Sequence, residues 1–373
     1  MRKLLLILAL LAPLCAQGRR LPEPPPAKVP PMPMDLRWNG PADTLTLFVI
    51  GDIMSHGAVR KSAEQYGYKT FFKYIEEQIR DADLAVGNME FPLAGKPYSG
   101  YPAFSAPDSY ASYVRDCGVD VFLTANNHIL DKGKSGLERT LAVYDTLSGI
   151  RHTGCAATAP ADSASYPLIV PVKGIRIALI NFTYGTNASQ GFRWPKVNRM
   201  DKADIAAAIR RARSRGADFI VALPHWGEEY QLRHNASQAS LARWLAASGV
   251  DAIVGAHPHV VQDYEAITLP DGRIVPVFYS VGNAVSNMSA ANTQLELLVT
   301  LSFTKDGLGN VTLLPPAAEF LWCSLPGRFS DNYMTLPVAD FTGHRAEWLQ
   351  ASDYDKMIST LERVRSGAGI PEK

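Results

Sequence analysis

Seven short apolar runs, at residues 45–50, 84–86, 119–123, 175–180, 219–223, 252–254 and 275–279, alternate with helix-length segments at 67–81, 109–117, 134–148, 201–215 and 237–247. Runs this short and this continuously apolar suit strands covered on both faces, and strands alternating with helices build an α/β fold. In such folds the loops at the carboxyl ends of the strands are the usual seat of function. Further on, 294–303 and 311–314 read as a hairpin around the mostly polar 304–310, and 353–364 as a terminal helix. The chain thus divides into a main domain at 44–325 and a less regular C-terminal extension, 326–373, that packs on it. No internal repeat is present.

The first residues have a different character. Met1-Arg2-Lys3 precedes an apolar run at 4–11, and Leu14-Cys15-Ala16-Gln17 offers a cleavage region, so 1–16 reads as an export signal. Pro13 stops the run short of membrane-spanning length. A lipoprotein variant would cut before Cys15 and lipidate it, but bulky Leu14 stands where that processing wants a small residue. Residues 17–43 form a proline-dense linker, with Pro24, Pro25 and Pro26 in succession, which disfavours hydrogen-bonded structure and holds the folded body off a surface. The expected location is the periplasm or cell envelope, with a lipid anchor as the alternative. After the signal only Cys117, Cys155 and Cys323 remain, too few for a disulfide scaffold. The balance of 37 Lys plus Arg against 36 Asp plus Glu gives no whole-chain field for a nucleic acid, and 47% hydrophobic residues exclude a disordered chain.

Five of the runs end in polar clusters: Gly51-Asp52 with Ser55-His56, Gly87-Asn88-Met89-Glu90, Thr124-Ala125-Asn126-Asn127-His128, Pro224-His225-Trp226-Gly227-Glu228 and Gly255-Ala256-His257-Pro258-His259. Their shared position brings distant residues onto one rim. Two carboxylates, an amide oxygen and several imidazoles suit a borderline divalent ion such as Zn²⁺, Mn²⁺ or Fe²⁺, whereas an all-oxygen set would suit Mg²⁺ or Ca²⁺. A carboxylate can bridge two ions, and a pair about 3.5–4 Å apart both activates water and holds an ester oxygen. An extended loop through Pro258 would turn His257 and His259 the same way. Taken singly each residue has an ordinary reading: Asp52 as a turn cap, Glu90 as a solvated acid, Asn126 and Asn127 as turn supports, Trp226 as core. The coincidence of five strand ends is what favours metal. Tyr98, Tyr101, Phe104, Tyr184, Phe192 and Trp194 fall in loops that can line a cleft. Lys96, Arg193 and Lys196 are placed to neutralise an anionic polymer or a phosphate, with Trp226 as a further substrate contact.

The ordered blocks FVIGDIMSHG, AVGNMEFPLAG, LTANNHILDKG, LPHWGEEY, VGAHPHVVQDYE and FYSVGN span about 47–283. With them the chain resembles the capsule-synthesis CapA (poly-γ-glutamate capsule) family, which is similar to the calcineurin-like metallophosphoesterases. The resemblance implies a four-layer α/β/β/α sandwich, with two sheets between helical layers. It implies one ion at Asp52, Glu90 and His259, and a second at Glu90, Asn127, His225 and His257, with Glu90 as the bridge. His128 would stand by the leaving group as proton or hydrogen-bond donor. His56 and Asn126 are further candidates for ligation or substrate contact, and Glu228 for orienting an imidazole.

Two departures from the phosphoesterase pattern stand out. Met54 replaces a histidine two residues beyond the first Asp, and Glu90 replaces a shorter Asp at the bridge. Three functions follow as expectations. One is an exported capsule or poly-γ-glutamate synthesis or attachment protein that handles an anionic extracellular polymer alongside membrane-bound assembly partners. The others are a metal-dependent phosphoesterase of the cell envelope and a non-catalytic polymer-binding protein that kept the fold.

Overall fold

The computed structural model describes residues 44–306 and 308–373; the export signal and linker expected at 1–43 lie outside them. From the start of this region the chain builds β1 (Thr44–Ile53), α1 (Gly57–Tyr66), α2 (Glu76–Asp81), β2 (Leu84–Met89), α3 (Asp108–Asp116), β3 (Val121–Leu123), α4 (Gly133–Thr146) and β4 (Arg151–Thr153). The four strands lie parallel, each beside its successor, because helical crossovers return the chain to the same end every time. Next come β5 (Cys155–Ala156), α5 (Ala159–Ser165), β6 (Leu168–Val172), β7 (Ile175–Thr183), β8 (Lys196–Val197), α6 (Lys202–Ser214), β9 (Phe219–His225), α7 (Ala236–Ala247), β10 (Ala252–Val254), β11 (Tyr264–Thr268) and β12 (Ile274–Phe278). These give a second sheet in the order β11-β12-β10-β9-β7-β6, parallel inside and antiparallel at both edges, while β5 pairs with β8. The chain then re-enters the first sheet. There β13 (Leu295–Lys305), β14 (Val311–Leu313), β15 (Ala317–Ser324) and β16 (Met334–Pro337) give the order β16-β15-β13-β1-β2-β3-β4, with β14 beside β13, before α8 (Val338–Phe341) and α9 (Ala351–Ala368).

Side-chain alternation sorts these elements into layers. Leu45, Leu47 and Val49 of β1 face Ile177, Leu179, Val221 and Leu223 of the second sheet in one apolar interior. Phe48 and Ile50 point the other way, onto Val59 of α1, Ile79 of α2 and Tyr110 and Val114 of α3. On the far side, Ile180, Ile220 and Ile253 pack under Ile205 and Ile209 of α6 and Leu241 and Leu245 of α7. The result is the four-layer α/β/β/α sandwich. Two of the outer helices begin at strong side-chain caps, Asp201 for α6 and the reciprocal Asn235–Gln238 capping box for α7.

The helix expected at 67–81 forms only over Glu76–Asp81. Tertiary partners take the preceding backbone: Phe72 N donates to Tyr113 Oη at 2.9 Å, and Phe71 O accepts from Thr335 N at 2.7 Å. Conversely, α1 follows the first polar cluster unannounced. Its buried face is only Val59, Ser62 and Ala63, too small and too polar to leave an apolar period. The boundary expected at 325 falls between β15 and β16 of one sheet, whose register runs from Ser324↔Met334 to Leu321↔Pro337. Met357, Leu361 and Val364 of α9 share an apolar cluster with Phe320, Trp322 and Leu336. Cys117, Cys155 and Cys323 are buried free thiols. Among the described residues no helix is long and apolar enough to cross a membrane.

Candidate metal centre

Both sheets end at the same point. Asp52 stands near the end of β1, Glu90 just past β2, Asn127 past β3, His225 at the last position of β9, and His257 and His259 past β10. All six are nearly or fully buried. The ligand atoms of Asp52, Glu90 and His225 lie within 4.8 Å of one another, and so do those of Glu90, His257 and His259. Glu90 belongs to both triads, the position of a bridge. His225 is grouped with Asp52 and His257 with His259, and His259 Nδ1 also lies 3.3 Å from Asp52 Oδ2. The loop is not extended: His257 and His259 both have positive φ, 102° and 58°, on either side of Pro258, and this bend keeps the two rings together. Asn127 stays with His225, its Oδ1 at 2.8 Å from Nε2.

Hydrogen bonds fix the donors. Asp52 Oδ1 accepts from Asn88 Nδ2 at 2.7 Å, and Oδ2 accepts from His257 N at 3.2 Å and faces His259 Nδ1 at 3.3 Å. Asn283 Nδ2 donates to His259 O and Thr293 O, which leaves its Oδ1 as an acceptor, 2.9 Å from His259 Nδ1. That nitrogen therefore carries the hydrogen, and the free lone pair of Nε2 faces Glu90 at 3.8 Å. Asn126 is a brace, fully buried, donating to Met89 O at 2.9 Å and Asn88 Oδ1 at 3.2 Å.

The electrostatics without an ion are lopsided. Burial opposes ionisation of Asp52, but the hydrogen bond from His259 and the charges of His225 and His259 outweigh it and hold the acid at about 2. Burial and the neighbouring Asp52 push Glu90 well above the usual carboxylate range. Burial pushes His225 down to about 3 and His257 well below its ordinary value, and His259 alone rises, because Asp52 outweighs burial. As carboxylates, Glu90 and Asp52 cannot hydrogen-bond each other. Both Glu90 oxygens and His257 Nδ1 then have no partner among the described residues, at a place where unpaired polar atoms are costly. A divalent cation fits this donor set: it takes lone pairs from acid, amide and neutral imidazole and compensates the clustered negative charge.

Around the centre, His128 Nδ1 lies 2.8 Å from Asp131 Oδ2, which also accepts from Phe104 N, and Asn187 Nδ2 approaches the same ring at 3.2 Å. His56 sits at the rim, outside both triads, accepting from Asn287 N at 3.2 Å and packed edge-on to Phe104. Tyr184 covers His257 with ring centroids 4.5 Å apart, and Tyr101 is exposed beside Phe104.

The expected contacts of Trp226 and Glu228 are corrected. Trp226 is core, stacked on Tyr279 and donating Nε1 to Tyr279 O at 2.9 Å. Trp226→Ala is expected to destabilise the chain by about 3–5 kcal/mol in denaturant unfolding with the metal donors intact. Glu228 is exposed and accepts from Asn235 Nδ2 at the start of α7. Lys196 pairs with Asp204 at 3.1 Å, and Arg193 is exposed in the loop whose Asn187 touches His128. Lys96 lines a cavity with Lys132.

Sequence reasoning passed over Asn88, Asp131, Asn187, Asn283 and Glu296. Two of them had a signal, the Gly-Asn pairs within β2 and after β12; Asp131 had the three-residue step from His128. Glu296 is fully buried, accepts from Gly51 N at 2.6 Å through Oε1, and is pushed up to about 8, chiefly by burial. A folded-state value raised from 4.5 gives stability that is complete below about 4.5 and lost as pH rises through about 8. Glu296→Gln is therefore expected to gain on the wild type by about 1.4 kcal/mol per pH unit across that window, read as unfolding free energies in EDTA.

Two sheets face to face between helices, with acids, amides and imidazoles from both closing on one point, define an α/β sandwich protein with a candidate divalent-metal centre. The chain belongs to the family described as bacterial capsule synthesis protein PGA_cap, whose model matches residues 46–288. It is 31% identical over 280 residues to the PGA biosynthesis protein CapA of Bacillus subtilis (strain 168), covering 73% of this chain and 71% of that one. It is 26% identical over 284 residues to the capsule biosynthesis protein CapA of Bacillus anthracis, covering 73% and 67%. Among solved structures, the 5'-nucleotidase precursor of Thermus thermophilus aligns with a TM-score of 0.45 at 17% identity, over 87% of this chain and 59% of its own length. The Haemophilus influenzae NAD nucleotidase aligns with a TM-score of 0.47 at 14% identity, over 86% and 62%.

Proposed function

We propose that this chain is an exported capsule-polymer protein, acting in synthesis or attachment of poly-γ-glutamate or a similar anionic polymer. Its centre holds two divalent ions, Mn²⁺, Zn²⁺ or Fe²⁺, and performs a phosphoester hydrolysis or a related transfer. The observation that carries the reading is Glu90: two buried, unpartnered carboxylate oxygens shared by two donor triads. Ions held there supply a water of lowered pKa and charge compensation for an ester oxygen. The chain's own residues do the rest. Asp131 holds His128 by Nδ1, which leaves Nε2 to give a proton or a hydrogen bond to the departing oxygen. Asn283 keeps His259 in one tautomer, and Asn88 holds Asp52 in place.

The anionic character of the substrate is supported by a cavity of about 300 Å³ lined by Lys96, Lys132, Ser105, Ser135 and Arg139 with no acid among the lining residues. Arg139 is already bound by Asp108 at 2.8 Å, so the charge on offer is that of the two lysines. Two of its lining residues, Lys132 and Ser105, directly follow Asp131 and Phe104, the acid bonded to His128 and the ring packed on it. Export by residues 1–16, a lipid anchor as its variant, and membrane-bound assembly partners complete the reading.

The test is hydrolysis of aryl phosphate mono- and diesters by the purified chain in Mn²⁺ or Zn²⁺. Turnover is expected in the wild type and its loss in the His225→Ala, His257→Ala double variant; turnover that survives the double change ends the proposal of catalysis at this centre. Deletion of the gene is expected to reduce surface polymer or its attachment, and an unaltered surface ends the capsule role. Met54 favours a second reading, a non-catalytic polymer-binding protein, because it is buried among apolar side chains where the phosphoesterase pattern has a histidine. Fewer than one bound divalent ion per chain after gentle purification would select that alternative.

A further inference from the structure

β1 and β13 pair as a regular antiparallel ladder from Thr44↔Thr304 to Val49↔Val299. On its other side β1 slips register against β2 between Ile50 and Asp52, so Gly51 is the extra residue of a bulge. A bulge leaves a backbone group out of the ladder, and here the N–H of Gly51 is taken by a side chain. Glu296 Oε1, reaching from β13, accepts it at 2.6 Å. The fit is close: a Cβ on Gly51 would stand 2.1 Å from Gly282 O and 3.2 Å from Glu296 Oε1. One residue further, Asp52 N donates to Gly282 O at 2.9 Å, and Asp52 O accepts from Ala284 N at 2.9 Å. Among the described residues, Glu296 is the one side chain that bonds the backbone of this turn, while Asn88 bonds the Asp52 carboxylate.

We infer that Glu296 is the positioning residue of the metal centre: by capping the bulge at Gly51 it aims the Asp52 carboxylate at Glu90 and His225. It stands outside both donor triads and acts through the peptide that precedes the first acid. Its second oxygen, Oε2, is buried without a partner among the described residues, so an acid here is a standing cost to stability and is not explained by ordinary packing. The raised value of about 8 fits the role, since a protonated carboxyl still accepts through its carbonyl oxygen. The length of the side chain, not its charge, is what the bulge requires.

The inference rests on the metal reading, and the two are separable by experiment. Wild type, Glu296→Gln and Glu296→Asp are purified as full chains, stripped with EDTA, checked by thermal unfolding, and titrated with Mn²⁺ by calorimetry and with Co²⁺ by visible absorption. Gln keeps the acceptor at the same reach, so its affinity and its Co²⁺ spectrum are expected to match the wild type. Asp keeps the acid but falls one methylene short, so its Kd is expected to rise by about 10–100-fold with an altered spectrum. A Gln variant with a changed spectrum, or a folded Asp variant that binds like the wild type, overturns the positioning role while the metal centre stands. If the Asp variant does not fold, the Gln variant decides alone. A wild type that takes up neither ion removes the metal centre and this inference together.

Discussion

Glu90→Met is expected to make the metal-free chain more stable by about 1–3 kcal/mol while lowering divalent-ion affinity by more than about 100-fold. Glu90 is fully buried, raised well above the usual carboxylate range by burial and by Asp52, and unpartnered at both oxygens. In the stripped protein it is therefore a liability, and an apolar side chain of similar length relieves it. With an ion present the same oxygens join both donor triads, so the substitution removes a ligand from each. Opposite signs are the signature, read by denaturant unfolding in EDTA and by elemental analysis after reconstitution. Unchanged ion content in the variant, or a stripped variant weaker than the stripped wild type, would contradict the assignment of Glu90 as the bridge.

Ending the chain at residue 325 is expected to abolish soluble, cooperatively folding protein. The missing part supplies β16, whose removal opens β15 as an unpaired edge, and the buried side chains Leu336, Val338, Trp348, Met357, Leu361 and Val364. Each large apolar side chain contributes roughly 1.5–3 kcal/mol by burial, against a net stability of about 5–15 kcal/mol for a whole domain. An exposed edge next to uncovered apolar surface also favours aggregation. Soluble expression of residues 44–325 with a sharp thermal transition would refute this and make the C-terminal part dispensable.

The parallel strands and the donor set were legible in the sequence for one reason. Buried parallel strands are written as continuous apolar runs, and their polar ends stand out against them, as at Val86 to Glu90 or Val254 to His259. What escaped notice lacks such contrast. β15 and β16 lie at the antiparallel end of the first sheet, where pairing with β13 rather than any local pattern defines them. Asn88, Asn283 and Glu296 are polar residues near or inside apolar stretches, and their value comes from partners dozens to hundreds of positions away, at Asp52, His259 and Gly51. The bend of the loop from His257 to His259 was likewise unreadable, because it depends on the two positive φ angles flanking Pro258. Trp226 was misplaced by proximity: it follows His225 directly, and in a strand neighbouring residues point to opposite faces.

Asp52, Glu90 and Asn127 are delivered by one sheet, His225, His257 and His259 by the other, and hydrocarbon such as Leu47, Val49, Ile177 and Val221 fills the seam between, with Asn181 bonded across it to Thr124 N and Ala125 N. That filling works as a shim, since its thickness sets how far the acidic half of the cage stands from the imidazole half. Swapping a valine for an isoleucine deep in the seam, well away from any donor atom, is thus a way to retune which cation the cage prefers.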